Sequence, residues 1–240
     1  MLTILYGLSS AITWGAADFT GGLASRKSRA YQAALLGESC GLTILLIASL
    51  FIKEAPLTWR NLVFCWLGGV MGVIGLLLFF HSLEKGQMSV AAPVSALTAA
   101  LVPVIIGSLI DGFPGLVTFG GFTLALVSIW FISHSDSGSK KLPTRLKDLA
   151  IPLIAGVSFG FYLALVNLGS QESVFWSLTA SRAAATTFML IFIFVTRQKI
   201  LPPAKAWPYF ILNGALDITG NGLYILAGQV GRMDVAAVLA

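Results

Sequence analysis

The chain has 240 residues, of which 57% are hydrophobic and 10% charged. A soluble domain carries about 25% charged residues, so this composition excludes a soluble globular protein and specifies an integral membrane one. The net charge of +5 is spread over loops rather than gathered in a basic stripe, which fits anionic lipid headgroups and topology control and argues against nucleic acid as a partner.

Roughly 20 apolar residues cross a bilayer as a helix. By that measure the sequence predicts spans near residues 2–24, 30–52, 61–83, 89–110, 115–133, 149–168, 173–195 and 209–229, with a ninth that opens at Val235 and is cut off at Ala240. The first span has no basic segment before it and is expected to be a retained helix rather than a signal peptide. Loops are short and several close on Pro or Gly, as in Glu54-Ala55-Pro56, Asp111-Gly112-Phe113-Pro114 and Pro202-Pro203. The longest, 133–148, is polar with Gly and Pro and reads as a linker. Cys40 and Cys65 fall inside apolar spans with neither zinc nor disulfide spacing, so free thiols are expected.

Basic residues alternate between loops. Arg26, Lys27, Arg29, Lys85, Lys140, Lys141, Arg145, Lys147, Arg197, Lys199 and Lys205 share one side, and Lys53, Arg60 and Arg232 the other. The positive-inside rule puts the first group in the cytoplasm and the N-terminus outside.

The segment from Trp66 to Ser95 returns from Ile211 to Ala240 at a constant offset of 145 residues. Leu67, Gly69, Gly75, Leu78, Gly86, Met88, Val90, Ala91 and Ala92 meet identical residues, Phe79 meets Tyr224, and Trp14-Gly15 falls on Phe159-Gly160. One register with a shared G-x-M-x-V-A-A run argues for duplication. The expected organisation is a five-helix unit over 1–135, a linker over 136–148 and an incomplete second unit over 149–240. The full fold is thus expected to be all-α and polytopic, truncated in the ninth helix, with the natural protein continuing for about 40–50 residues. An odd number of helices per unit inverts the second relative to the first, and inverted repeats hold solute at their interface near the midplane.

Ionisable groups at the bilayer centre cost about 2.5–3.5 kcal/mol on insertion scales and usually face a cavity or a partner. Asp18, Glu38, Arg182 and Asp217 are such groups. The offset carries Glu38 to within one residue of Arg182, so the two are expected to face each other across the pseudo-two-fold axis and to pair or share solute. Snorkelling or a backbone carbonyl is the structural alternative. Asn213, Asp217, Asn221 and Tyr224 are spaced by four, four and three and form one helical stripe. That stripe is either a cavity wall or a helix–helix hydrogen-bond seam. In the first unit its counterparts are Gly68, Gly72, Leu76 and Phe79. Trp14 and Asp18 share a face of the first span, with Trp14 serving as a stacking wall or as plain packing. Glu38, Asp217 and His81 are candidate proton-coupling groups, His81 because imidazole titrates near neutral pH, although an interfacial structural histidine is the alternative. Pro93 and Pro103 free backbone carbonyls in span four.

Enzyme chemistry finds little footing. Gly37-Glu38-Ser39-Cys40-Gly41 matches G-x-S-x-G formally but lies inside an apolar helix, where no strand-to-helix elbow can form. No phosphate loop, HExxH or metal-ligand cluster is present, so no cofactor is expected. A lipid-modifying intramembrane enzyme would rest on His81 and Glu84 alone, and a non-transporting subunit would leave the mid-span charges unexplained.

Trp14-Gly15, the turn Leu83…Gly86…Ser89-Val90-Ala91-Ala92-Pro93, its echo Gly231…Val235-Ala236-Ala237 and the Gly120-Gly121 start of span five carry a resemblance. The chain resembles the drug/metabolite transporter superfamily in its EamA-type branch. The resemblance implies ten helices as two inverted five-helix repeats around a central cavity, and secondary transport of a metabolite, amino acid, nucleotide-sugar or drug across the plasma membrane. Where that family commonly has a Gly-Glu-Arg-like turn after span four, this chain has Asp111-Gly112-Phe113-Pro114. Many members keep both termini in the cytoplasm, the reverse of what the charges here predict.

Overall fold

The computed structural model describes residues 1–85, 88–110, 112, 115–116, 119–124, 127 and 146–240. Among these residues there is no strand. The helices are α1 (Leu2–Lys27), α2 (Ala30–Ala48), α3 (Trp59–Glu84), α4 (Met88–Ile110), α5 (Leu146–Gly169), α6 (Val174–Thr196), α7 (Trp207–Gln229) and α8 (Met233–Leu239). Of the fifth predicted span, residues 119–124 are helical. The linker lies largely outside the described residues, as do Gly86, Asp111, Lys140, Lys141 and Arg145.

Among the described residues, five segments are long and apolar enough to cross a membrane: Ala30–Ala48, Trp59–Glu84, Ala91–Ile110, Leu149–Gly169 and Val174–Thr196. Helices α1 and α7 are as long but fall outside that set because they carry polar residues along their length. Ser10 and Thr20 on α1 and Asn213 and Asn221 on α7 are buried in protein rather than turned to lipid, and α1 packs chiefly on α7. Leu2, Leu5, Leu8, Ile12 and Phe19 on α1, and Ile44, Leu46 and Ile47 on α2, stay exposed on the outer surface. Helices satisfy most of their main-chain groups internally, so such an apolar exterior suits hydrocarbon. The chain is a multi-pass integral membrane protein.

Local signals set the helix limits. Ser173 caps α6 by accepting the Trp176 N–H at 2.9 Å. Arg197 closes that helix in the left-handed region at φ 52°. Helix α2 stops at Ala48, earlier than its apolar run predicts, because Phe51 and Ile52 both turn their N–H groups back to the Ala48 carbonyl. The chain then reaches Glu54, whose carboxylate accepts the Ser173 hydroxyl and whose carbonyl accepts the Trp176 indole N–H at 3.0 Å.

Two helix seams organise the interior. Along α1 and α7, Thr3 donates to the Val230 carbonyl, Ser10 to Gly220 at 2.8 Å, and the Asn213 amide to Ala17 at 2.8 Å. The numbers run in opposite directions, so these helices are antiparallel. Along α3 and α5, Cys65 meets Gly169, Gly68 meets Val166 and Gly75 meets Phe159, again antiparallel. A Cβ on Gly75 would sit 2.9 Å from the Phe159 ring, and one on Gly220 would sit 2.5 Å from the Trp14 indole. Glycine lets each aromatic ring lie against helix backbone. The two contacts occupy equivalent positions at the 145-residue offset, with the partners exchanged between the halves.

The two ends of the bundle differ in charge. At one end Arg26 donates to the Leu83 carbonyl, Lys27 to the Tyr209 hydroxyl at 2.5 Å, and Gln32 to the Lys199 and Leu201 carbonyls. Arg29 reaches Glu84 at 3.4 Å. At the other end Glu172 accepts the Thr58 backbone N–H at 2.7 Å, a contact that holds its carboxyl below the usual range.

Candidate functional site

The helices enclose a cavity of about 420 Å³ whose lining is drawn from α1 through α8. This falls in the range of about 300–1,000 Å³ typical of small-molecule sites. Four of its lining residues are the mid-span charges Asp18, Glu38, Arg182 and Asp217.

Arg182 is the hub. It sits about two and a half turns into α6, counted from the Ser173 cap, and it is buried. Its Nη1 lies 2.6 Å from Glu38 Oε1 on α2, and its Nη2 pairs with Asp217 Oδ2 on α7. Asp217 also accepts from the Asn221 amide at 3.1 Å, and Asn221 Oδ1 accepts the Tyr162 hydroxyl. One hydrogen-bonded chain thus ties α2, α6, α7 and α5 together at the cavity wall. A buried charge pair of this kind holds only with good geometry and satisfied neighbours. Two of its atoms remain unsatisfied among the described residues, Glu38 Oε2 and Arg182 Nε.

Asp18 stands apart from this chain. It lines the cavity from α1 and has no hydrogen bond or ion pair among the described residues. Trp14, one turn earlier on the same face, also lines the cavity. Its ring lies 5.7 Å from that of Tyr224, tilted by 32°. Packing and wall therefore coincide in Trp14.

The sequence of the first half identifies the family: residues 1–134 match the EamA-like transporter family. The chain belongs to that family. An EamA-like transporter works in a membrane on a small-molecule solute, so bilayer and solute are its partners. A crystal structure described only as "Crystal structure of protein" superposes with a TM-score of 0.74 at 14% identity, covering 98% of this chain and 82% of that one. That likeness concerns the fold. No curated protein matches the chain in sequence.

The stripe read on α7 of this EamA-like chain divides in two. Asp217 and Asn221 line the cavity. Asn213 instead spends its amide on the Ala17 carbonyl, and Tyr224 donates to the Leu163 carbonyl at 3.0 Å, so both work as seam residues. His81 is not brought to the cavity. It lines a separate cleft of about 940 Å³ at the basic end with Glu84, Lys27, Arg29, Arg197 and Lys199. Ser39 of the formal G-x-S-x-G match lies within α2 and donates to the Leu35 carbonyl at 2.7 Å, and Cys40 and Cys65 are free. Tyr162 is the residue that sequence reasoning missed. Its one available signal was the offset, which sets it on Ala17, beside Asp18.

Proposed function

We propose that the chain is a secondary carrier of a small organic metabolite or drug in the plasma membrane, working by alternating access about the central cavity. One observation carries this reading: a ligand-sized cavity in the middle of a membrane bundle, walled by helices from both halves, holds a charged network that tethers four of them. Purely structural charge would be costly there. The reciprocal seams α1–α7 and α3–α5, each antiparallel, support two inverted units divided by the 136–148 linker, and rocking of one unit on the other would open the cavity to either side in turn. Glu38 and Asp217 are the groups on which a coupling proton would ride, because protonation of either loosens its hold on Arg182 and frees α2 or α7. Trp14, Asp18 and Asn221 would contact solute. The Lys/Arg-rich end, from Arg26 to Lys205, faces the cytoplasm on the positive-inside rule.

Accessibility tests this directly. In a background with Cys40 and Cys65 replaced by Ala, a single cysteine at Ala96 in the cavity is exposed to impermeant maleimide from each face of oriented vesicles. A carrier is labelled from both faces, with separate rates that shift in opposite senses when solute is added. Labelling from neither face would support a scaffold and overturn the proposal.

A further inference from the structure

The cavity is chemically lopsided. Asp18, Glu38, Arg182, Asp217 and Asn221 come from α1, α2, α6 and α7, whereas α3, α4 and α5 supply Val73, Leu76, Phe79, Ala96, Ala99 and Phe159. The hydroxyls that also line the space are spent on protein partners: Ser95 donates to the Ala91 carbonyl at 2.7 Å, Ser181 to Leu178 at 3.0 Å, and Tyr162 of α5 to Asn221 Oδ1. One wall is therefore ionic and the other hydrocarbon and aromatic.

The ionic wall is anionic in sum. Arg182 is matched by two carboxylates, Glu38 and Asp217, and Asp18 adds a third with no partner among the described residues. Glu38 is buried, and its second oxygen likewise has no donor. Acceptors are left over on this wall. Arg182 Nε is a buried donor without a partner among the described residues, but it belongs to a guanidinium already flanked by two carboxylates, so an anionic solute would meet their repulsion. A protonated amine meets the reverse, a bare carboxylate at Asp18 and the Trp14 indole one turn away in the same lining. Carboxylate and indole together favour an ammonium, the ring contributing through its quadrupole.

We propose that the central cavity takes an amphipathic organic amine, its ammonium held at Asp18 beside Trp14 and its apolar body laid against Val73, Leu76, Phe79 and Phe159. This rests on the carrier reading for its function but not for its binding. Asp18 is the specificity-determining residue. Asp217 and Glu38 set the sign of the wall through Arg182 rather than by direct contact.

The test is equilibrium binding of labelled 2-phenylethylamine to the purified protein in nanodiscs, with 2-phenylethanol, 3-phenylpropanoate and phenylalanine as competitors. The amine binds saturably. The alcohol, the acid and the zwitterion compete at least tenfold more weakly. Asp18→Asn weakens the amine at least tenfold while leaving the alcohol and the thermal unfolding midpoint unchanged, and Asp18→Glu retains binding. Equal binding of alcohol and amine, preference for the acid or the zwitterion, or an Asp18→Asn variant that still binds the amine fully would each overturn the proposal. Uptake into proteoliposomes separates the two readings. Amine binding without flux of any solute keeps this ligand class and removes the carrier. Flux of a neutral or anionic solute without amine binding keeps the carrier and removes the amine.

Discussion

The α1–α7 and α3–α5 seams use the same positions for different ends. Both are antiparallel, and both rest an aromatic ring, Trp14 or Phe159, on a glycine, Gly220 or Gly75. Position by position, however, α7 carries Asn213, Asp217, Asn221 and Tyr224 where α3 carries Gly68, Gly72, Leu76 and Phe79. The small residues and rings that set how closely helices approach recur in both seams, while the charged residues Asp18 and Asp217 lie on α1 and α7 alone. Packing thus follows the 145-residue offset, whereas the charged positions do not recur at it: Asp18, Glu38, Arg182 and Asp217, drawn from both halves, fall on Leu163, Ala183, Gly37 and Gly72. An asymmetric solute needs an asymmetric wall, and this division supplies one without altering the bundle.

The largest expected effect comes from removing the hub of the charged network. Arg182→Met leaves the buried Glu38 and the part-buried Asp217 without a countercharge and should cost about 3–5 kcal/mol, read as a lowered unfolding midpoint in detergent. Adding Glu38→Gln and Asp217→Asn to that variant should restore the midpoint but not solute flux. If the single variant is as stable as the wild type, the network is not what ties α2, α6 and α7.

Next come the shared glycines. Gly75→Ala and Gly220→Ala each overpack a ring and should cost about 1–3 kcal/mol. Trp14→Phe, which makes the first seam resemble the second, should recover part of the Gly220→Ala loss and none of the Gly75→Ala loss. Recovery of both would mean that the seams are coupled rather than separate.

Exchanges toward the α3 residues at the same offset split function from packing. Asn213→Gly removes the bond to Ala17 and should cost about 1 kcal/mol while preserving flux. Asn221→Leu frees Tyr162 and Asp217 and should abolish flux with a similar small loss of stability. Equal flux in the two variants would erase the distinction between the seam half and the cavity half of the α7 stripe.

The smallest effect lies outside the membrane. Because the Thr58 N–H lowers the Glu172 carboxyl below its ordinary value of 4.5, its contribution is present above that value and fades as pH falls through the lowered one. Amide exchange at Thr58 should accelerate over that acidic range in the wild type and stay fast at every pH in Glu172→Gln.

Much of this was legible in the sequence. Apolar runs marked the spans because lipid demands some 20 such residues. The constant offset carries Glu38 to within one residue of Arg182, and the two pair at 2.6 Å. Less legible was the third member of the network. Asp217 has Gly72 as its counterpart, so no symmetry argument led from it to Arg182. Helical spacing put Asn213 and Tyr224 on the same stripe as Asp217, but a stripe does not record which neighbour covers each part of it. Helix α1 covers Asn213, and the Leu163 carbonyl of α5 takes the Tyr224 hydroxyl. Tyr162 went unseen because a tyrosine in an apolar span looks like any other aromatic until its hydroxyl is given a partner.

Uptake of labelled amines, amino acids and nucleosides into proteoliposomes, comparing wild type with Glu38→Gln of matched thermal stability, tests the central claim most directly. Saturable uptake of one solute class by the wild type and none by Glu38→Gln is the predicted result. No uptake of any solute, or equal uptake by both proteins, would contradict a carrier that works through this charged cavity.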